Sequence, residues 1–178
     1  MENDSWTPGR RALLVLACFA VGIALPDLDF VLPFVTHRSG LTHSILPALA
    51  LLSLHPLRGK IACGVALGIG VHLAADSFPN AMSGYATVKL PFAGSIGRTW
   101  SYVWLGANAL AALVMGGVLA LRVLPKPWGF AILVAIALGS VVYLATTDGG
   151  WPVLAIMALI GGGTWQRRRR TKRLQGQS

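Results

Sequence analysis

Between Arg98 and Arg167 the chain carries only three charged side chains, Arg122, Lys126 and Asp148. So apolar a stretch cannot form an ordinary water-facing layer and has to be covered by lipid or by other apolar segments. The same character extends upstream, with apolar segments at about 12 to 35, 43 to 55, 61 to 76, 100 to 121, 128 to 146 and 151 to 165. Read by the length criterion for helices in a bilayer, these predict six helices. A hydrophobic share of 54%, a charged share of 12% and a mean hydropathy of +0.64 over 178 residues place the chain among integral membrane proteins. The expected architecture is an all-α polytopic bundle: one membrane-embedded domain at 12–165, a short tail at 1–11, and a basic tail at 166–178.

The net charge of +9 does not point to nucleic acid, because six of the fifteen basic residues lie in RRRRTKR at 167–173 with no aromatic interleaving. They mark instead a cytoplasmic end beside an anionic leaflet. With both termini in the cytoplasm, Arg10, Arg11, Arg58, Lys60, Arg122, Lys126 and the six tail cations lie inside, twelve in all, against Arg38, Lys89 and Arg98 outside. That bias predicts a membrane protein in this orientation. All six tryptophans stand near segment ends, as an interfacial belt requires. Cys18 and Cys63 lie inside apolar segments and imply no disulfide framework. The run after Arg11 is read as a retained first helix, since only six residues separate Arg11 from Cys18, short for the apolar region of a signal peptide.

Against this background three motifs stand out: PDLD at 26–29, HRSGLTHS at 37–44 and HLAAD at 72–76. They hold three of the six acidic residues (Asp27, Asp29, Asp76) and three of the four histidines (His37, His43, His72). Such groups are costly to desolvate, so their presence among apolar helices predicts a function, most simply as ligands of a shared metal ion. The six-helix topology gathers them at one, extracytoplasmic, end of the bundle. His72 and Asp76 are four apart and share a helix face. Asp27 and Asp29 are two apart and can aim at one centre only across a break, which Pro26 would supply. Imidazole with carboxylate suits Zn²⁺, or a dinuclear Zn²⁺ or Mn²⁺ site that activates water. Arg38 could fork onto a phosphate or carboxylate of a substrate. The long connection at 77–99 is expected to be a non-helical, lid-like loop, with Tyr85, Val88, Leu90 and Phe92 as a partly apolar cover. His55 reads as an interfacial histidine, Asp148 as a turn residue, and Glu2 and Asp4 as part of the N-terminal tail.

At these residues the chain resembles the YdjM-type family, described as LexA-binding, inner-membrane-associated metal-dependent hydrolases. The resemblance is carried by PDLDF at 26–30, HRSGLTHS at 37–44, Gly70, HLAAD at 72–76 and KLPF at 89–92. It covers roughly residues 20 to 95; beyond residue 100 only hydropathy corresponds. It implies metal ligation by Asp27, Asp29, His37, His43, His72 and Asp76. Leu90 stands where relatives tend to carry a tryptophan. A looser likeness to zinc-dependent phospholipase C motifs implies a lipid or phosphoester substrate.

The reading that follows is a membrane-bound metal-dependent hydrolase of an ester or phosphoester. Asp29 or Asp76 would serve as general base and Arg38 as an anion-binding group. The alternative is a cation or proton-coupled transporter using the same Asp/His cluster. A noncatalytic scaffold whose cationic tail recruits a partner would leave the cluster without a role.

Overall fold

A computed structural model describes residues 6–31, 36–54 and 58–175. It contains six α-helices: α1 (Pro8–Ala24), α2 (Leu46–Leu54), α3 (Arg58–Asp76), α4 (Gly97–Val123), α5 (Lys126–Thr146) and α6 (Gly150–Gln175). His55, Glu2 and Asp4 lie outside the described residues. Three helical stretches, Gly59–Asp76, Gly97–Val123 and Lys126–Thr146, are long and apolar enough to cross a membrane, and Gly150–Trp165 is a shorter apolar segment.

The first two expected segments come out shorter than their apolar runs. α1 starts at a Thr7 cap, whose hydroxyl accepts from the Arg10 amide, with Pro8 in its first turn. It stops at Ala24 because Pro26 has no N–H to continue the ladder. Pro26–Phe30 then forms a 3₁₀ turn, which is the break that two ligand-type carboxylates spaced by two require. α2 has nine residues, about 14 Å at 1.5 Å per residue, roughly half of a hydrocarbon core. Its start is held by the Ser44 hydroxyl, which accepts from Leu46 N, and by Asn108 of α4, whose Oδ1 accepts from Ile45 N. The basic stretch continues α6 as helix through Gln175 within the described residues.

α3 is the central helix, and Cys63, Leu67, Val71 and Ala75 on one side and Val65, Ala66, Ile69 and Leu73 on the other are all buried. α1 runs beside it in the same direction at a spacing only glycine allows. A Cβ on Gly64 would stand 2.3 Å from the Val15 carbonyl oxygen, and one on Gly68 2.3 Å from that of Phe19. The string GVALGIG is therefore a packing surface. α4 packs antiparallel on α3, where Cys63 Sγ donates to the Gly116 carbonyl. α5 returns along the bundle, so that α1, α3 and α5 all end on the side where α4 begins.

The connection at 77–99 contains a short 3₁₀ turn, Gly84–Ala86, and a two-stranded hairpin, β1 (Lys89–Leu90) with β2 (Gly94–Ser95). Phe92, at the hairpin tip, has a positive φ of 65° and is fully exposed. Val88 and Met82, by contrast, are buried in the core. The connection is strapped down at its middle: Val88 N donates to Ser101 Oγ, Lys89 N to the Arg38 carbonyl, and Gly40 N to the Lys89 carbonyl.

Candidate metal centre

The three motifs meet at the end of the bundle where α1 and α3 finish. Asp27 comes from the 3₁₀ turn, His43 from the loop before α2 and His72 from the last turn but one of α3. Each offers one ligand atom, and these atoms all lie within 4.8 Å of one another. The group could hold a metal ion. Both histidines are buried, while the Asp27 side chain is 51% exposed, so the centre opens to the outside on the Asp27 side.

Asp76 faces the same point. Its Oδ2 lies 3.2 Å from His43 Nε2 and 3.5 Å from His72 Nε2, and His72 Nε2 lies 3.8 Å from Asp27 Oδ1. Ligand atoms roughly 2.0–2.1 Å from one zinc ion stand about 3.3 Å apart in a tetrahedron, so these separations are of the right size for a shared ion. The two Nε2 atoms are also the buried side-chain polar atoms that lack a hydrogen-bond partner among the described residues. Their nearest polar neighbour is the Asp76 carboxylate, close to both but not aligned for a hydrogen bond with either, an arrangement that a cation between the three groups would satisfy.

The other ring nitrogens are engaged. His43 Nδ1 lies 3.1 Å from Thr42 Oγ1 and 3.4 Å from Asp29 Oδ2, and His72 Nδ1 lies 3.2 Å from the Tyr143 hydroxyl. A neutral imidazole carries one proton, so a proton held at Nδ1 leaves the Nε2 lone pair for an ion. The His43 backbone is fixed as well, because Trp104 of α4 donates its indole N–H to the His43 carbonyl at 2.9 Å.

The remaining expected residues surround this group in different ways. Asp29 is buried and points into the HRSGLTH loop: its Oδ2 accepts from Arg38 N at 2.7 Å, Ser39 N at 3.4 Å and Thr42 Oγ1 at 3.3 Å, and its Oδ1 lies 3.2 Å from His37 Nδ1. His37 meets the centre through Asp29 and through an edge-on contact of its ring with that of His43, centroids 6.1 Å apart. Its ring stacks between Phe30 and Tyr85, each at a centroid distance of 4.1 Å. Partial burial holds its pKa below the ordinary imidazole range despite the pull of Asp29, which favours the neutral ring. Arg38, in the left-handed region at φ 55°, has both terminal nitrogens engaged. NH2 donates to Asp76 Oδ1 at 2.9 Å, and NH1 donates to the Ala86 carbonyl at 2.8 Å and to that of Asp76 at 3.4 Å. Its guanidinium thus ties the HLAAD motif to the 77–99 connection. Lys89 does similar work, its ammonium donating to the carbonyls of His37, Tyr85 and Thr87. Burial and the nearby Arg38 lower its pKa.

Asn108, Trp104 and Tyr143 escape a motif-based reading because they sit in segments that look purely hydrophobic. The one usable signal was position: Tyr143 in VVYLATTD lies near the predicted end of its helix on the side of His72, where a polar-tipped ring has a role to find.

Fold and site together define an all-helical protein with helices apolar enough to cross a membrane and an Asp/His group able to hold a metal ion. No family model matches the chain, and no curated protein and no solved structure matches it.

Proposed function

We propose that the chain is a membrane-bound metal-dependent hydrolase of the YdjM type, acting on an ester or phosphoester of a lipid near the extracytoplasmic face of the inner membrane. The observation that carries this reading is the convergence of the buried Nε2 atoms of His43 and His72, neither in an aligned hydrogen bond, with the carboxylates of Asp27 and Asp76. His43, His72 and Asp27 would hold the ion, with Zn²⁺ favoured by the imidazole content and the short separations. A zinc ion in such a site lowers the pKa of water and polarises the scissile group.

The chain's own residues divide the remaining work. Asp76 is the carboxylate best placed as general base, because one of its oxygens faces the centre while Arg38 holds the other. Asp29 orients the loop and the His43 ring instead of meeting substrate. Arg38, engaged by Asp76 and Ala86, positions the base and the covering loop. Leu28, Phe30 and Val31 beside Asp27, with Leu41 and Phe92, are exposed apolar side chains around the polar centre. That rim suits a substrate presented from a bilayer, with the hydrolysed bond near Asp27 and the chains left in lipid.

The test is metal analysis and hydrolysis in detergent. Wild-type protein is expected to carry about one zinc per chain and to cleave a lipid ester or phosphoester. His72→Ala should lose the metal, and Asp76→Asn should keep it while losing turnover. A transporter built on the same cluster would show no turnover and a gradient-driven flux in sealed vesicles lost in both variants; that result would overturn the hydrolase reading.

A further inference from the structure

The two histidines of the centre are held by different parts of the chain. His43 is oriented from within its own motif, by Thr42 and Asp29. For His72, the partner at Nδ1 is the hydroxyl of Tyr143 at 3.2 Å, seventy-one residues away on α5, with the two rings 6.5 Å apart and inclined by 29°. The other hydroxyls near this end of α5 turn back on their own helix: Ser140 donates to the Ile136 carbonyl, Thr146 to those of Val142 and Tyr143, and Thr147 to that of Tyr143. Tyr143 alone of these reaches across to α3.

We infer that Tyr143 is a positioning residue of the metal centre, accepting the Nδ1 proton of His72 so that Nε2 is bare and aimed at Asp27 and Asp76. The inference rests on the metal reading and adds to it a role for a helix that lies outside the three motifs. On α1 the Ile23 backbone carbonyl also lies within hydrogen-bonding reach of the His72 ring. The Tyr143 hydroxyl, at hydrogen-bond distance from Nδ1, adds a side-chain acceptor there from α5 and resists rotation of the ring. The Tyr143 ring is itself placed by helix packing, since Leu144 and Ile136 of α5 are buried in one cluster with Val71 and Ala75 of α3. Tyr143 packs against the same cluster. The register of α5 on α3 therefore sets the direction of a ligand atom.

The test compares full-length wild type, Tyr143→Phe and Thr146→Val in detergent. Zn²⁺ affinity is read by competition with a chelator, ligand geometry by the visible spectrum of the Co²⁺-loaded protein, and folding by thermal unfolding of the metal-free protein. Tyr143→Phe keeps the ring and removes only the oxygen. It is expected to weaken Zn²⁺ binding about 10–100-fold and to alter the Co²⁺ spectrum, with the metal-free unfolding midpoint unchanged. Thr146→Val, whose hydroxyl donates to the carbonyls of Val142 and Tyr143, should match wild type. Wild-type affinity and spectrum in Tyr143→Phe would overturn the inference and leave the metal reading standing. A lowered unfolding midpoint that accompanies the weaker binding would reduce Tyr143 to a packing residue, and so would an equal loss in Thr146→Val. Wild-type protein that binds neither ion would overturn the metal reading and this inference with it.

Discussion

Replacing Asp29 by alanine separates a carboxylate that organises a loop from one that binds an ion. Asp29 is 3% exposed and gathers the Arg38 and Ser39 amides, the Thr42 hydroxyl and the Nδ1 atoms of His37 and His43. Thr42 keeps a second acceptor in the Ser39 carbonyl, so the groups orphaned by Asp29→Ala are chiefly the two buried amides. At about 1–3 kcal/mol for each unsatisfied donor, the metal-free protein should lose about 2–6 kcal/mol. Asp29→Asn retains an acceptor for the Arg38 amide and should lose less than Asp29→Ala. Thermal unfolding in detergent without metal measures both. Metal titration then reads the second half of the argument: Asp29→Asn should bind the same number of ions as wild type, about 10–100-fold more weakly, because an outer partner of a ligand has been changed. An Asp29→Ala protein as stable as wild type without metal, or an Asp29→Asn protein that binds no ion at all, would refute the assignment of Asp29 to the loop.

Gly68→Leu should destabilise the bundle by about 1–3 kcal/mol or more, because even a Cβ there would meet the Phe19 carbonyl at 2.3 Å and the Gly22 backbone at 2.6 Å; an unfolding midpoint equal to wild type would show that α1 and α3 do not approach so closely. The cation bias predicts that a reporter fused at residue 90 and one fused at the C-terminus report opposite sides of the membrane; finding both on one side would move the site to the cytoplasmic face.

The helices were legible for the same reason the motifs were. In a chain with so few polar groups, apolar runs mark helices, and each buried charge or imidazole has to be accounted for. Six helices, a break at Pro26 and a long connection between the third and fourth helices follow from residue type and spacing. The helix lengths do not. Within the described residues the second apolar run is helical only from Leu46 because Ser44 and Asn108 take the amides at its start, and Asn108 is more than fifty residues further along the chain. Hydropathy cannot register a cap delivered from another helix.

The division of labour among the carboxylates was hidden for a related reason. Asp27 and Asp29 are the same residue type in the same motif, two positions apart, and nothing in PDLD distinguishes them. What separates them is the 3₁₀ turn after Pro26, which sends Asp29 into the loop as an acceptor of backbone amides and leaves Asp27 at the open side beside His72. Arg38 follows the same logic. A cation next to a ligand-type histidine reads as a substrate clamp, but its left-handed backbone delivers the guanidinium to Asp76 and to the Ala86 carbonyl. Each role depends on which atom faces which, set by contacts between segments far apart in sequence. A motif lists the donors of such a centre; only packing between α1, α3 and α5 decides which of their atoms converge, and here these are the Nε2 atoms of His43 and His72 with the carboxylates of Asp27 and Asp76.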